Sequence, residues 1–103
     1  MVTMLRTTKQ RKTLCPPCPV ARVADMVGDS ASLLIIRDLL EGPKRFGELT
    51  TSLGMSTRTL TLKLRQLKRC GFISTGKIYA LTSKGKALRS VLTAMRRYGE
   101  KYL

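Results

Sequence analysis

Two stretches of this chain carry side chains at spacings that could do chemistry. Cys15-Pro-Pro-Cys18 sets a pair of thiols at the separation of redox-active dithiols. Residues 55–72, MSTRTLTLKLRQLKRCGF, mix leucines with arginines and lysines and contain no acid. Such a stretch is either an amphipathic helix with a solvated basic face or a helix that lies against something negatively charged. Enzymatic readings fit less well. A thioredoxin-like use of the dithiol needs a preceding strand and a βαβ context, and the sequence supplies neither. Three cysteines and no histidine do not complete a four-ligand zinc site within one chain, although a dimer could pool them. Without histidine the commonest general base at neutral pH is missing. The expectation is a protein that is not an enzyme and holds no metal or cofactor.

The charge balance points to the partner. Twenty Lys and Arg stand against six Asp and Glu, a net charge of +14 on 103 residues. Between Glu48 and Glu100 there are eleven basic residues and no acid. Self-repulsion of that size destabilises a compact domain unless a polyanion neutralises it, so nucleic acid is the expected partner. Five aromatic residues, Phe46, Phe72, Tyr79, Tyr98 and Tyr102, offer no stacking platform for single-stranded RNA. No apolar run approaches the ~20 residues needed to cross a bilayer, so no membrane association is expected. Residues 1–14 are basic and acid-free and lack the apolar core of a secretory signal. They fit a flexible arm touching DNA phosphates, or an organelle-targeting peptide. The expected compartment is the reducing cytoplasm, in association with the nucleoid.

The elements that would position these residues follow from periodicity and punctuation. After the arm at 1–14, CPPCP marks the start of a domain over 15–103. From Pro19 a first helix carries Val20, Val23, Ala24 and Val27 and closes at Gly28. A second, apolar on most sides, starts at Asp29 or Ser30 and stops at Gly42-Pro43. A short third helix fits FGELTTSL, ended by Gly54. Ser56 or Thr57 caps a fourth helix that reaches Cys70, with Gly71 as its stop. FISTGKIYAL reads as two short strands around a turn at Thr75, Gly76 and Lys77. Thr82 caps a last helix running nearly to Leu103, with Leu88, Val91, Leu92, Met95, Tyr98 and Tyr102 in one apolar stripe. This order predicts a mainly α fold with a small antiparallel β-hairpin: a winged helix-turn-helix.

At about 100° per residue, Leu60, Leu64 and Leu67 share the buried face of the fourth helix. Arg58, Leu62, Arg65 and Arg69 share the opposite face, bordered by Thr61 and Gln66 and flanked by Lys63 and Lys68. Arginine can donate two hydrogen bonds to guanine, while lysine and threonine anchor phosphates. Leu62 is either a singly exposed leucine or a contact for a thymine methyl. Ser56, Thr57 and Thr59 lie where the helix N-terminal amides could meet a phosphate. Lys77, at the hairpin tip, is a weaker candidate for phosphate or minor-groove contact.

At these residues the chain resembles the HxlR family of winged helix-turn-helix transcriptional regulators, related in architecture to MarR-type proteins. CPVARVADMVG resembles the family's opening Cys-Pro-Val helix, and LLIIRDLLEGPKRFGEL its second helix, Gly-Pro turn and Arg-Phe-x-Glu-Leu segment. STRTLTLKLRQLKRCGFI is similar to its recognition helix, and YALTSKGKAL to the Leu-Thr-x-x-Gly-x-x-Leu start of its final helix. The resemblance implies a homodimer on a palindromic operator, paired through the first and last helices. Val20, Val23, Leu88, Val91, Leu92, Met95, Tyr98 and Tyr102 would then face the partner. Two recognition helices would sit about 34 Å apart, in successive major grooves. It also implies a sensing thiol at Cys18, the position before Pro-Val, with Cys15 as a candidate disulfide partner and an unidentified oxidant or small molecule as inducer. Cys70 reads as a small core residue. The wing is shorter than in the family, which weakens the case for minor-groove contact by Lys77. The charge is also higher than the family leads one to expect, and the basic arm at 1–14 is extra. These two departures leave open a second reading, a nucleoid protein coating DNA with little sequence preference, beside the dimeric repressor.

Overall fold

The computed structural model describes residues 18–103; the arm at 1–14 and Cys15 lie outside the described residues. Helix α1, Pro19–Val27, opens with Pro19 at its first position, where the missing amide N–H costs nothing. It closes at Gly28, whose N–H bonds to the Ala24 carbonyl at 2.8 Å. Asp29 caps α2, Ser30–Leu40, by accepting the Ser32 N–H at 3.0 Å. In α3, Phe46–Leu53, the Glu48 carboxylate folds back to accept the Arg45 N–H at 2.7 Å. Gly54 ends it in the left-handed region, φ +65°, which a side chain would resist. Two residues later Ser56 caps α4, Thr57–Arg69, accepting the Thr59 N–H at 3.1 Å.

Strands β1, Ile73–Ser74, and β2, Ala80–Leu81, pair antiparallel with Ile73 opposite Leu81 and Ser74 opposite Ala80. Then come the one-turn helix α5, Ser83–Lys86, and α6, Arg89–Tyr102. Helix α2 runs through the middle. Its Ile35, Ile36 and Leu39 meet Leu49 of α3, Leu60, Leu64 and Leu67 of α4, and Phe72, Ile73 and Leu81 of the hairpin in one buried cluster. Leu49, Leu60 and Leu67 are wholly buried; truncating one such leucine to alanine costs about 2–5 kcal/mol. The winged helix-turn-helix expected from the sequence is therefore present. Among the described residues, no helix is long and apolar enough to cross a membrane.

Two details differ from the sequence reading. Lys44, between α2 and α3, exchanges backbone hydrogen bonds with Tyr79 at 3.0 and 2.8 Å, adding one rung beside the hairpin. A single residue pair leaves no periodicity to read. The last helix is also interrupted at Ala87–Leu88, where the Leu88 N–H turns to the Gly85 carbonyl at 3.1 Å, a tighter three-residue step. Helix α5 lies hard against the hairpin base, because Gly85 has no Cβ to meet the Phe72 carbonyl. Leu88 is buried in the subunit's own core. That corrects its assignment to the partner-facing stripe.

Candidate nucleic-acid interface

Helix α4 sorts its side chains by where its leucines must go. With Leu60, Leu64 and Leu67 buried in the core, Arg58, Leu62, Arg65 and Arg69 are left exposed on the opposite side. Leu62 is 52% exposed. At the start of the helix, the Ser56 hydroxyl donates to Thr59 Oγ1 at 3.0 Å, so these two side chains are engaged with each other while Thr57 is exposed. Thr61 and Gln66 are half-buried on opposite borders of the arginine face. Thr61 lines a cleft of about 300 Å³ between α4 and the hairpin, together with Arg65, Lys68, Thr75 and Tyr79. Lys68, three residues beyond Arg65, is thus an exposed cation at the cleft that the sequence reading treated only as a flank. The spacing from Arg65 was the available signal.

Lys63 is placed differently. Its ammonium lies 3.2 Å from Asp29 Oδ2, tying α4 to the cap of α2. Partial burial raises the Asp29 pKa, but hydrogen bonds from Ser32 and Lys63 and the Lys63 charge outweigh it and hold the carboxyl below its ordinary value. Expected as a flank of the DNA face, Lys63 is engaged within the fold. Its cause is geometric: Lys63 stands one residue before Leu64, close to the buried side. Lys84 is engaged likewise, donating to the Cys70 carbonyl at 2.7 Å and lying 4.6 Å from the Phe72 ring. Lys77 stays exposed in the turn between the strands, beside an exposed Ile78. Arg58, Arg65, Lys68, Arg69 and Lys77 therefore form the outward basic surface of α4 and its wing.

Away from this surface, α1 and α6 expose apolar side chains that the subunit does not cover. Val20 and Val23 on α1, and Val91, Met95, Tyr98 and Tyr102 on α6, are all exposed. The Tyr98 and Tyr102 rings pack on each other at 4.8 Å between centroids. Leu92 instead turns inward and packs half-buried on the core. Cys18 stands at the N-terminal cap of α1, half-buried and free, and Cys70 is a free thiol packed against the core at the end of α4. Among the described residues no cluster of His, Cys, Asp or Glu could hold a metal ion.

Comparison with known proteins adds a family and a set of relatives. The model of HxlR-like helix-turn-helix proteins matches residues 26–103. An HTH-type transcriptional regulator of Synechocystis sp. is 38% identical over 95 residues, covering 84% of this chain and 70% of that protein. Among solved structures, quinone-bound YodB from Bacillus subtilis superposes with a TM-score of 0.77 at 31% identity, covering 84% of this chain and 100% of that one. The redox regulator HypR in its reduced form gives a TM-score of 0.76 at 28% identity, covering 82% and 92%.

Proposed function

This chain belongs to the HxlR-like helix-turn-helix family of transcriptional regulators, and from that membership we propose a homodimer that reads double-stranded DNA with α4. The observation that carries this reading is the exposed Arg58, Leu62, Arg65 and Arg69 face, backed by a fully buried leucine face on the same helix. Arg58, Arg65 and Arg69 are suited to guanine edges, and Leu62 to a thymine methyl. Thr57, Lys68 and Lys77 would hold phosphates and fix the register. Ser56 and Thr59 shape the start of the helix, Thr61 and Gln66 border its reading face, and Lys63 secures α4 to α2.

The partner would pack on α1 and on Val91, Met95, Tyr98 and Tyr102 of α6. Small domains bury too little surface to leave such a stripe in water without cost. Bound across a palindrome, the dimer would act as a repressor in the cytoplasm, on the nucleoid. Cys18 opens α1, part of that same partner-facing surface, so oxidation or alkylation of its thiol would be felt by the dimer. YodB was solved with a quinone bound and HypR is a redox regulator, which supports a thiol-responsive reading here.

The test is selection of bound sequences from a random duplex pool at moderate salt, run with reductant and again after mild oxidation. A palindrome enriched only under reductant is the expected result. A pool held tightly without enrichment would overturn sequence-specific reading and favour a DNA-coating protein. The same palindrome under both conditions would remove the sensing role from Cys18.

A further inference from the structure

Helices α2 and α6 enclose a groove made of two adjoining hollows. One, of about 420 Å³, is lined by Arg37, Leu40, Glu41, Arg89, Thr93 and Arg96, with Leu92 at its base. The other, of about 240 Å³, is lined by Leu33, Leu34 and Met95 and shares Arg37, Leu92 and Arg96 with the first. The groove is thus cationic at one end and apolar at the other. Its charges do not cancel. The rim acid Glu41 is paired with Lys44 at 3.3 Å. Arg89 is positioned by the Leu40 carbonyl at 3.1 Å, and Arg96 has no hydrogen-bond or ion-pair partner among the described residues.

Arg37 links this groove to the helix-turn-helix. Its Nε and Nη2 donate to Asp38 Oδ1 at 3.3 and 3.1 Å. The other oxygen of this buried carboxylate, Oδ2, accepts the Ser52 hydroxyl at 2.6 Å. Ser52 lies in the last turn of α3, two residues before the Gly54 turn that leads to α4.

We propose that the groove binds a small carboxylate with an apolar body, and that the Arg37–Asp38–Ser52 chain reports its presence to α3. The ligand's carboxylate would sit among Arg37, Arg89 and Arg96, with its hydrocarbon on Leu33, Leu34, Leu92 and Met95. A second carboxylate at Arg37 competes with Asp38 for one guanidinium. A buried charge that loses a donor must find another, so Asp38 and the hydroxyl it holds shift together. Leu92, Thr93 and Arg96 line the groove beside α2, and Met95, which also belongs to the exposed stripe of α6, lines its apolar end. The binding step stands by itself; only its consequence for DNA rests on α4 being the reading helix.

Calorimetric titration of the full chain with octanoate, without DNA, tests the site. Octanamide, which lacks the charge, and inorganic phosphate, which lacks the apolar body, are the controls. Octanoate should bind about tenfold or more tightly than either, and Arg96→Gln, an exposed change that leaves the core intact, should weaken it by a similar factor. Equal binding of octanamide or phosphate, no binding of octanoate, or dissociation of a dimer by octanoate would each overturn the site. In the second arm, saturating octanoate should change affinity for the selected duplex several-fold in the wild type. It should not do so in Ser52→Ala, whose octanoate binding reports that it is folded. An unchanged affinity in the wild type would overturn the relay. Octanoate binding by a chain that holds no duplex would fault the DNA reading and leave the groove standing.

Discussion

Lys63 and Arg65 stand two residues apart on α4 and meet different surroundings, the partly exposed Asp29 carboxylate for one and open solvent for the other. Arg65→Ala should weaken binding to the selected palindrome by about 1–3 kcal/mol while affecting a scrambled duplex much less. Equal losses on both duplexes, measured by titration at fixed salt, would reassign it to phosphate. Lys63→Met should act on stability instead. The folded state holds the Asp29 carboxyl below its ordinary 3.8, so the stabilisation is present above that pH and is lost as the pH falls through the folded value. The Tm of Lys63→Met should therefore fall below wild type at pH 7, and the gap should narrow as the pH falls through the lowered value of the folded Asp29 carboxyl. A gap that persists in acid would mean that packing of the lysine stem, and not its charge, holds α4 to α2. The arginine face was legible in the sequence from the leucine spacing alone. The fate of Lys63 was not, because Asp29 lies more than thirty residues earlier in the chain.

Among the elements, the sharpest constraint is where α5 meets the hairpin. A Cβ on Gly85 would run into the Phe72 carbonyl oxygen and crowd the Leu81 side chain. Gly85→Ala should destabilise the fold by about 1–3 kcal/mol or more in urea unfolding, since backbone cannot yield as a flexible side chain can. Gly76 in the wing turn has nothing within 4 Å of such a Cβ, and Gly76→Ala should stay within about 0.5 kcal/mol of wild type. Similar losses from both would locate the constraint in chain flexibility and not in this close approach. Helix limits were readable because caps and stops are local: Asp29, Ser56 and Thr82 each accept a backbone N–H within three residues. The break at Ala87–Leu88 was not readable, because it answers to the hairpin packed against α5. The Lys44–Tyr79 rung likewise joins segments remote in sequence.

At the scale of the whole molecule, the question is what covers α1 and α6. Tyr98 is 62% exposed and faces away from the subunit's core, so Tyr98→Asp should yield a folded monomer by analytical ultracentrifugation. A dimer that survives the change would place the interface elsewhere. Leu92→Asp would be a poorer probe, because Leu92 packs on the core and its loss would lower stability as well. The sequence stripe from Leu88 to Tyr102 thus divides in three dimensions. Leu88 and Leu92 pack on the subunit's own core, while Val91, Met95, Tyr98 and Tyr102 stay exposed.

By itself the sequence determined the order of elements, the buried and exposed faces of α4, and a polyanionic partner. Each of these depends on local hydrogen bonding, on helical periodicity or on summed charge, all of which can be read along the chain. Only the tertiary structure decided which lysines are engaged inside the fold, which half of the last helix packs inward, and that three arginines gather over an apolar groove. Those outcomes depend on which distant segments meet, and α2, with Arg37 on it, meets α6 only because the core closes around it.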